Sequence, residues 1–342
     1  MRIDRTIIRG FRNLSSSAGP DFMAAWSPGI NLILGRNGAG KTNLLEALSI
    51  ITGWGAFGKT SGVVSWQNQT RRAYIGAEIS GEESLTVSAE ISSRISLRLN
   101  DKSVSFTELR TYVPSVLFLS GSLSLIDGPP SARRMFVDRL CALFVPPFAK
   151  WLADFKSVFR ARSLMLRQGK NHSVTDEAYC RLGGWIMNTR RAALGELVKM
   201  IPPGKLSLDF VPAMNAPGSE YLREMSAANS ERERYAQRPL FGPGYDDLVI
   251  TVADTGRPAS ESLSRGQKRR LVLYLLLTAG RLIAERMGRE PVLLLDDITA
   301  ELDREGREFA YRKLEAAGWQ VFLTAPEKPF ATRRKFGGIE LS

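Results

Sequence analysis

Residues 35–42 read Gly35-Arg36-Asn37-Gly38-Ala39-Gly40-Lys41-Thr42. The spacing is G-x-x-x-x-G-K-T, a P-loop. An apolar run, Ile30 to Leu34, leads into it and reads as a strand; Lys41 to Ile51 leads out and reads as a helix. Strand, glycine-rich loop and helix is the context in which the motif has physical meaning. The glycines let backbone N–H groups curl around a phosphate without Cβ clashes. The helix N-terminus adds partial positive charge at the same point. In such a loop Lys41 is expected to reach the β- and γ-phosphates of ATP, and the Thr42 hydroxyl to hold Mg²⁺.

The chain has 342 residues, 44% of them hydrophobic, so it can bury a sizeable core as one large domain or two smaller ones. Lys and Arg number 47 against 35 Asp and Glu, a net charge of +12. That surplus favours a polyanionic partner, above all nucleic acid. Cys141 and Cys180 show no Cys-x-x-Cys spacing and read as buried thiols in a reducing compartment. With one histidine, His172 in a polar loop, a zinc site is not expected. Met1-Arg2-Ile3-Asp4-Arg5 lacks the apolar core of a signal peptide. The longest apolar run, Leu271 to Gly280, is too short to span a bilayer. A soluble, cytoplasmic protein is expected.

Along the chain, Arg2 to Arg9 alternates as an opening strand, and a Ser/Gly/Pro turn, Ser15 to Pro20, leads to a second. Gly53 to Gly62 reads as a loop. Ala73 to Ile79, Leu85 to Ile91 and Arg94 to Leu99 read as an antiparallel meander. Ser115 to Leu119 is a buried strand, and Ser131 begins a helix carrying Arg133 and Arg134. Phe148, Trp151, Leu152, Phe155, Val158 and Phe159 share one helical face, either core or a base-stacking platform, with core favoured. Lys150, Lys156, Arg160, Arg162 and Arg167 lie mostly off that stripe. They form either a solvated face or a track for DNA phosphates. A second long helix, Asp176 to Met200, carries Arg190 and Arg191. Leu206 to Phe210 and Leu248 to Ala253 read as strands, and Glu220 to Gln237 as a charged helix. A long helix runs to Met287, a strand spans Pro291 to Asp297 with two carboxylates at its end, a helix Asp303 to Ala317, and the last strand Gln320 to Thr324. The basic tail, Arg333 to Lys335, is expected to be loose.

An apolar strand ending in Asp296 after a P-loop reads as Walker B, with Asp296 on Mg²⁺, directly or through water. Asp297 would orient the attacking water or accept its proton. Leu263-Ser264-Arg265-Gly266-Gln267 places a serine and a glycine at the mouth of a helix, an anion-binding geometry. P-loop, LSxGQ, Walker B and then a short acidic D-loop, here Ala300-Glu301-Leu302-Asp303, is the order found in ABC-type ATPases. In that class the LSxGQ of one subunit closes over the γ-phosphate held by the other.

On these motifs the chain resembles the RecF family, compact ABC-type DNA-repair ATPases related to SMC and Rad50 heads. The resemblance rests on Phe11-Arg12-Asn13, on GRNGAGKTNLLEAL at Gly35 to Leu48, and on GPPSARRMFVD at Gly128 to Asp138. It also rests on LSRGQ and on LLLDDITAELD at Leu293 to Asp303, and it covers essentially the whole length. It implies an α/β fold: an ABC-type P-loop ATPase head with an antiparallel β subdomain and a second, mostly helical lobe. The expected division is residues 1–120 for the first part of the ATPase lobe, 121–240 for the helical lobe and 241–342 for the second part.

The resemblance further implies ATP-dependent homodimerisation, binding to duplex DNA and gapped junctions, and weak, DNA-stimulated ATP hydrolysis. It implies work with RecR, and with RecO, to place RecA on single-stranded gaps. Gly35 to Thr42, with Arg12 and Asn13, would bind the nucleotide. Thr42 and Asp296 would hold Mg²⁺, and Asp297 would be the catalytic carboxylate, with Lys41 and Ser264 on the phosphates. Ser264, Gly266 and Gln267 would contact the partner's γ-phosphate, Asp303 would cross the dimer, and Thr324 would be the γ-phosphate switch residue. Arg133, Arg134, Arg160, Arg162, Arg190 and Arg191 are the candidates for DNA contact. Two segments depart from the family pattern. Gly-Pro-His followed by a basic residue is replaced by Gly242-Pro243-Gly244-Tyr245-Asp246-Asp247, and Pro-Glu of the Gln-loop region by Ser120-Gly121. A nucleotide-binding subunit of a membrane transporter is the alternative from another class; the charge and the long interval from Thr42 to Leu263 count against it. A RecF paralogue reduced to an interaction protein is the other.

Overall fold

Two kinds of strand pattern separate into two sheets. Strands that alternate, such as Leu85–Ile91, bury every second side chain and pair antiparallel. Strands that are mostly apolar, such as Ile30–Gly35 and Val292–Leu295, are buried along their whole length and pair parallel. The computed structural model describes residues 1–14, 21–57, 64, 72–119, 123–170, 173–202, 206–211, 218–299, 302–325 and 336–341. It divides into two units, Met1–Ser122 with Arg265–Ser342, and Leu123–Ser264.

The first unit begins with β1 (Arg2–Arg9), β2 (Phe22–Ala25), β3 (Ile30–Gly35), α1 (Lys41–Ile51), β4 (Ala73–Ser80) and β5 (Leu85–Ile91). It continues through β6 (Ile95–Leu99), β7 (Lys102–Val104), α2 (Phe106–Tyr112) and β8 (Ser115–Phe118). The second unit holds α3 (Ser124–Asp127), α4 (Pro130–Phe144), α5 (Phe148–Arg167), α6 (Ser173–Lys199), β9 (Leu206–Val211), α7 (Ser219–Ala228), α8 (Ser230–Ala236), β10 (Asp247–Val252), β11 (Arg257–Pro258) and α9 (Ala259–Ser262). The chain then returns to the first unit with α10 (Arg265–Met287), β12 (Val292–Leu295), α11 (Arg304–Ala317), β13 (Val321–Ala325) and β14 (Gly337–Leu341). No described helix is long and apolar enough to cross a membrane.

In the first unit the antiparallel sheet runs β2-β1-β4-β5-β6-β7 and the parallel sheet β14-β3-β13-β12-β8. Helix α1 touches strands of both. Residues Leu44 to Ile51 are all buried, and a single apolar core joins α1 to Ile3, Ile75, Val87, Leu294 and Phe322. The P-loop helix is thus fixed by burial on all sides beyond its first turn.

Several elements differ from the sequence reading. Residues 337–341 form a parallel edge strand beside β3. Its two glycines hide it: Gly338 has φ +139°, and a Cβ there would lie 2.0 Å from the Leu32 carbonyl oxygen, so only glycine permits this approach. Helix α2 opens with a capping box in which Ser105 and Glu108 bond each other's backbone N–H. The expected helix from Glu220 to Gln237 is two, broken at Asn229 (φ −117°, ψ 19°), whose side-chain amide donates to the Met225 carbonyl at 2.9 Å. The basic tail Arg333 to Lys335, His172, Ser120-Gly121 and Ala300-Glu301 lie outside the described residues. The second domain boundary falls at 264/265 and not at 240/241. Strand β10 pairs antiparallel with β9 over six residues, which keeps it in the helical unit.

The second unit settles the choice for the aromatic stripe in favour of core. Phe148, Trp151, Phe155 and Phe159 pack on Trp185 and Tyr179 of α6, with the two tryptophan rings 4.2 Å apart. Two of the arginines proposed for DNA are also core. Arg162, with no exposed surface, is bound by Asp176 (2.5 Å), Glu233 (2.7 Å) and the Ser226 hydroxyl (2.7 Å). Arg190 is bound by Asp138 (2.7 Å), Asp246 (2.9 Å) and the Pro243 carbonyl (2.6 Å). Burial opposes the charge of Arg190, but Asp138 and Asp246 more than offset it and hold its pKa above the ordinary value. Arg133 grips Asp247 with two nitrogens (2.7 and 3.0 Å), and Arg134 donates to the Asp246 carbonyl (2.7 Å). The GPP…RR…D segment and the departing Asp246-Asp247 pair are therefore two halves of one ionic network.

Removing Arg190 would strand two carboxylates, Asp246 being fully buried. We expect Arg190→Ala to cost about 3–5 kcal/mol in chemical denaturation. The exposed neighbour Arg191→Ala should stay within about 0.5 kcal/mol of wild type. Equal effects would show that the network does not hold this unit together.

Candidate nucleotide-binding site

The P-loop leaves β3 at Gly35 and enters α1 through Gly40, which has φ +100° and would place a Cβ 2.7 Å from Asn13 Oδ1. No side chain caps this helix, and its first turn carries no acidic residue, so its N–H groups face the loop. Lys41 Nζ donates to the carbonyls of Gly35 (2.6 Å) and Arg36 (3.0 Å), which holds the ammonium over the loop. Asn13 donates to the Gly38 carbonyl (3.0 Å) and accepts from Asn43 (2.7 Å), pinning the loop to α1.

Facing the loop are the ends of β12 and β13. The Thr42 hydroxyl lies 3.2 Å from both oxygens of Asp296. Thr324, fully buried in β13, donates its hydroxyl to Asp296 Oδ1 (2.8 Å) and accepts the Asp297 N–H (2.9 Å). Asp297 has φ +55°, a left-handed conformation uncommon for a non-glycine residue. Arg269 of α10 donates to its carbonyl at 2.9 Å. Asn37, Gly38, Gly40, Lys41, Thr42, Asn43, Asp296, Asp297 and Thr324 line a cleft of about 300 Å³. Among the described residues no cluster of three or more His, Cys, Asp or Glu could hold a metal alone. A hydroxyl and one carboxylate beside a phosphate cradle fit Mg²⁺, which keeps waters and phosphate oxygens as its other ligands.

Not every expected site residue joins this cleft. Arg12, at φ +48°, is clamped by Glu46, Nε to Oε2 at 2.5 Å and Nη2 to Oε1 at 2.9 Å. Its pKa is raised first by that hydrogen bond, against the cost of burial. Glu46 was not singled out from sequence, yet a lone carboxylate in the apolar run Leu44 to Leu48 signals a buried partner. Asn43 and Arg269 carry no such signal. Ser264 is exposed and immediately precedes α10; Gly266 and Gln267 lie in its first turn and are not among the residues lining the cleft. Asp303 caps α11 by accepting the Gly306 N–H at 2.7 Å, with its side chain 70% exposed. Of the six arginines considered for DNA, Arg160 and Arg191 are exposed.

The family model described as RecF/RecN/SMC N terminal domain matches residues 2–336. The DNA replication and repair protein RecF of Marinobacter nauticus is 31% identical, over 93% of this chain and 90% of its own. Solved structures of the recombination mediator protein RecF in the RecFOR pathway, RecF-ATPrS and RecF-ATP, match with TM-scores of 0.83 and 0.82 at 24% and 23% identity. Each match covers 96% of this chain and 93% of the other. An SMC head bound to the C-winged helix domain of ScpA matches at TM-score 0.52 and 16% identity, over 96% of this chain and 91% of the other. The P-loop, the paired Asp296 and Thr42, and the full-length match agree: this chain belongs to the RecF family of DNA replication and repair proteins, with an ABC/SMC-like head.

Proposed function

We propose that the protein is an ATP-switched DNA-binding protein of recombinational repair. The observation that carries the nucleotide half is the approach of Thr42 to Asp296 across a cleft that also holds Lys41 and Asp297. Lys41 and the N–H groups of the loop bind the β- and γ-phosphates. Thr42 and Asp296 would hold Mg²⁺, which would supply positive charge beside the phosphates when bound. Asp297 orients a water for in-line attack. Two copies close on two nucleotides, each offering Ser264 and Gly266 to the other's γ-phosphate; a cleft that Gly266 and Gln267 do not line fits a site completed by a partner.

DNA is the second ligand, duplex or gapped, and RecR, RecO and RecA are the proposed associates. With Arg162 and Arg190 committed to the core, the phosphate track reduces to the exposed Lys150, Lys156, Arg160 and Arg167 of α5, with Arg191 on α6. Lys156 and Arg160 stand one helical turn apart, about 6 Å along the axis. The transporter alternative has no observation in its favour, and the assembled cleft argues against a chain reduced to an interaction protein.

Fluorescent-nucleotide binding and phosphate release test the first half. We expect Lys41→Ala to lose nucleotide binding, and Asp297→Asn to keep binding while losing hydrolysis. Wild-type turnover should fall below about 1 per second, the low end for enzymes. A salt titration of DNA binding tests the second. Replacing both Lys156 and Arg160 by Ala should flatten the slope of log K against log salt by about 2. Replacement of Arg191 with Lys150 and Arg167 intact should cost about 1. An unchanged slope in both would move the DNA surface elsewhere.

A further inference from the structure

The γ-phosphate switch expected at Thr324 conflicts with how its hydroxyl is used. A threonine hydroxyl has one proton to donate. Here that proton goes to Asp296 Oδ1 at 2.8 Å, and the Thr324 hydroxyl oxygen itself accepts the Asp297 N–H at 2.9 Å. The side chain is fully buried in β13, between β3 and β12 in the sheet, so its rotamer is fixed by packing. To donate to a phosphate it would have to release a carboxylate that is itself only 4% exposed.

We propose that Thr324 is a positioning residue for the Mg²⁺ carboxylate and for the backbone of the catalytic carboxylate, and that it does not sense the γ-phosphate. The inference rests on the reading of the cleft as an Mg²⁺–ATP site. One hydroxyl sets two geometries at once. Its donated bond orients Asp296, leaving Asp296 Oδ2, with Oδ1, 3.2 Å from the Thr42 hydroxyl. Its accepted bond holds the Asp297 N–H, while Arg269 holds the Asp297 carbonyl from the other side. Asp297 is thereby kept at φ +55°, a conformation that needs such support. Outer partners of this kind tune metal affinity without touching the metal.

The experiment is equilibrium binding of ATP and of ADP to the full chain, titrated with Mg²⁺ and repeated in EDTA, with no turnover read. Thr324→Val removes the hydroxyl at constant shape, Thr324→Ser restores it, and Thr324→Cys supplies a weaker donor. We expect Thr324→Val to raise the Mg²⁺ concentration needed for tight ATP binding by about 10–100-fold. Its affinity in EDTA and its ratio of ATP to ADP affinity in EDTA should match wild type. Thr324→Ser should behave as wild type and Thr324→Cys should fall between, which keeps the test decisive if the valine variant does not fold. A normal Mg²⁺ requirement together with lost ATP-over-ADP preference in the valine or cysteine variant would overturn the proposal and restore the sensor role. Failure of the underlying site reading looks different: wild type itself would then bind no ATP, or bind it as well with Lys41→Ala.

Discussion

The contact on which the site depends is the 3.2 Å approach of the Thr42 hydroxyl to the Asp296 carboxylate. Residues 254 positions apart meet there because of sheet register. Leu295 is level with Leu323 of β13 and Phe118 of β8, and Thr324 is level with Ile33 of β3. The parallel strands therefore end together, and each hands its next residues to one edge. The P-loop, Asp296-Asp297 and Thr324 occupy the carboxyl ends of neighbouring strands, where open α/β sheets bind ligands. Since those strands are buried along their length, a slip in register would expose core and is strongly disfavoured.

The second unit is organised by ionic contacts more than its helical composition suggests. Arg133, Arg134 and Arg190 converge on Asp138, Asp246 and Asp247 from α4, α6 and the start of β10. Burial raises the pKa of Asp247, but the bond from Arg133, the Leu248 N–H and the nearby arginine charges bring it below the ordinary value. A group depressed in this way contributes stability above its unfolded pKa and loses that contribution as pH falls through the folded one. The histidine expected near this segment in the family pattern has no counterpart here; Asp246 and Asp247 meet the arginines directly. The family-specific segment that carries Arg133 and Arg134, two of the candidates for DNA contact, thus serves largely as an internal clasp.

The fold was legible where one local rule applied. The P-loop with its flanking strand and helix, the alternation of β4 and β5, and the apolar runs of β3 and β12 each report a single environment. It was not legible where contacts span the sequence. Strand β14 depends on Gly338 fitting against Leu32, and the break at Asn229 on a side-chain bond to Met225. Charge alone could not tell Arg162 and Arg190 from Arg160 and Arg191. Neighbouring positions on a helix point in different directions, and only packing shows which arginine meets acid and which meets water. Within the site, residue types and spacing pointed to Lys41, Thr42, Asp296 and Asp297. The shared use of one Thr324 hydroxyl by Asp296 and Asp297 is a matter of distance, which no pattern encodes.

Light scattering of the full chain with and without saturating ATP most directly tests the proposed role of ATP as the switch for pairing two copies. A monomer is expected without nucleotide and a dimer with ATP. The dimer should persist in Asp297→Asn and be absent in Lys41→Ala and Ser264→Arg. Wild type that stays monomeric at saturating ATP, with DNA present or absent, would contradict it.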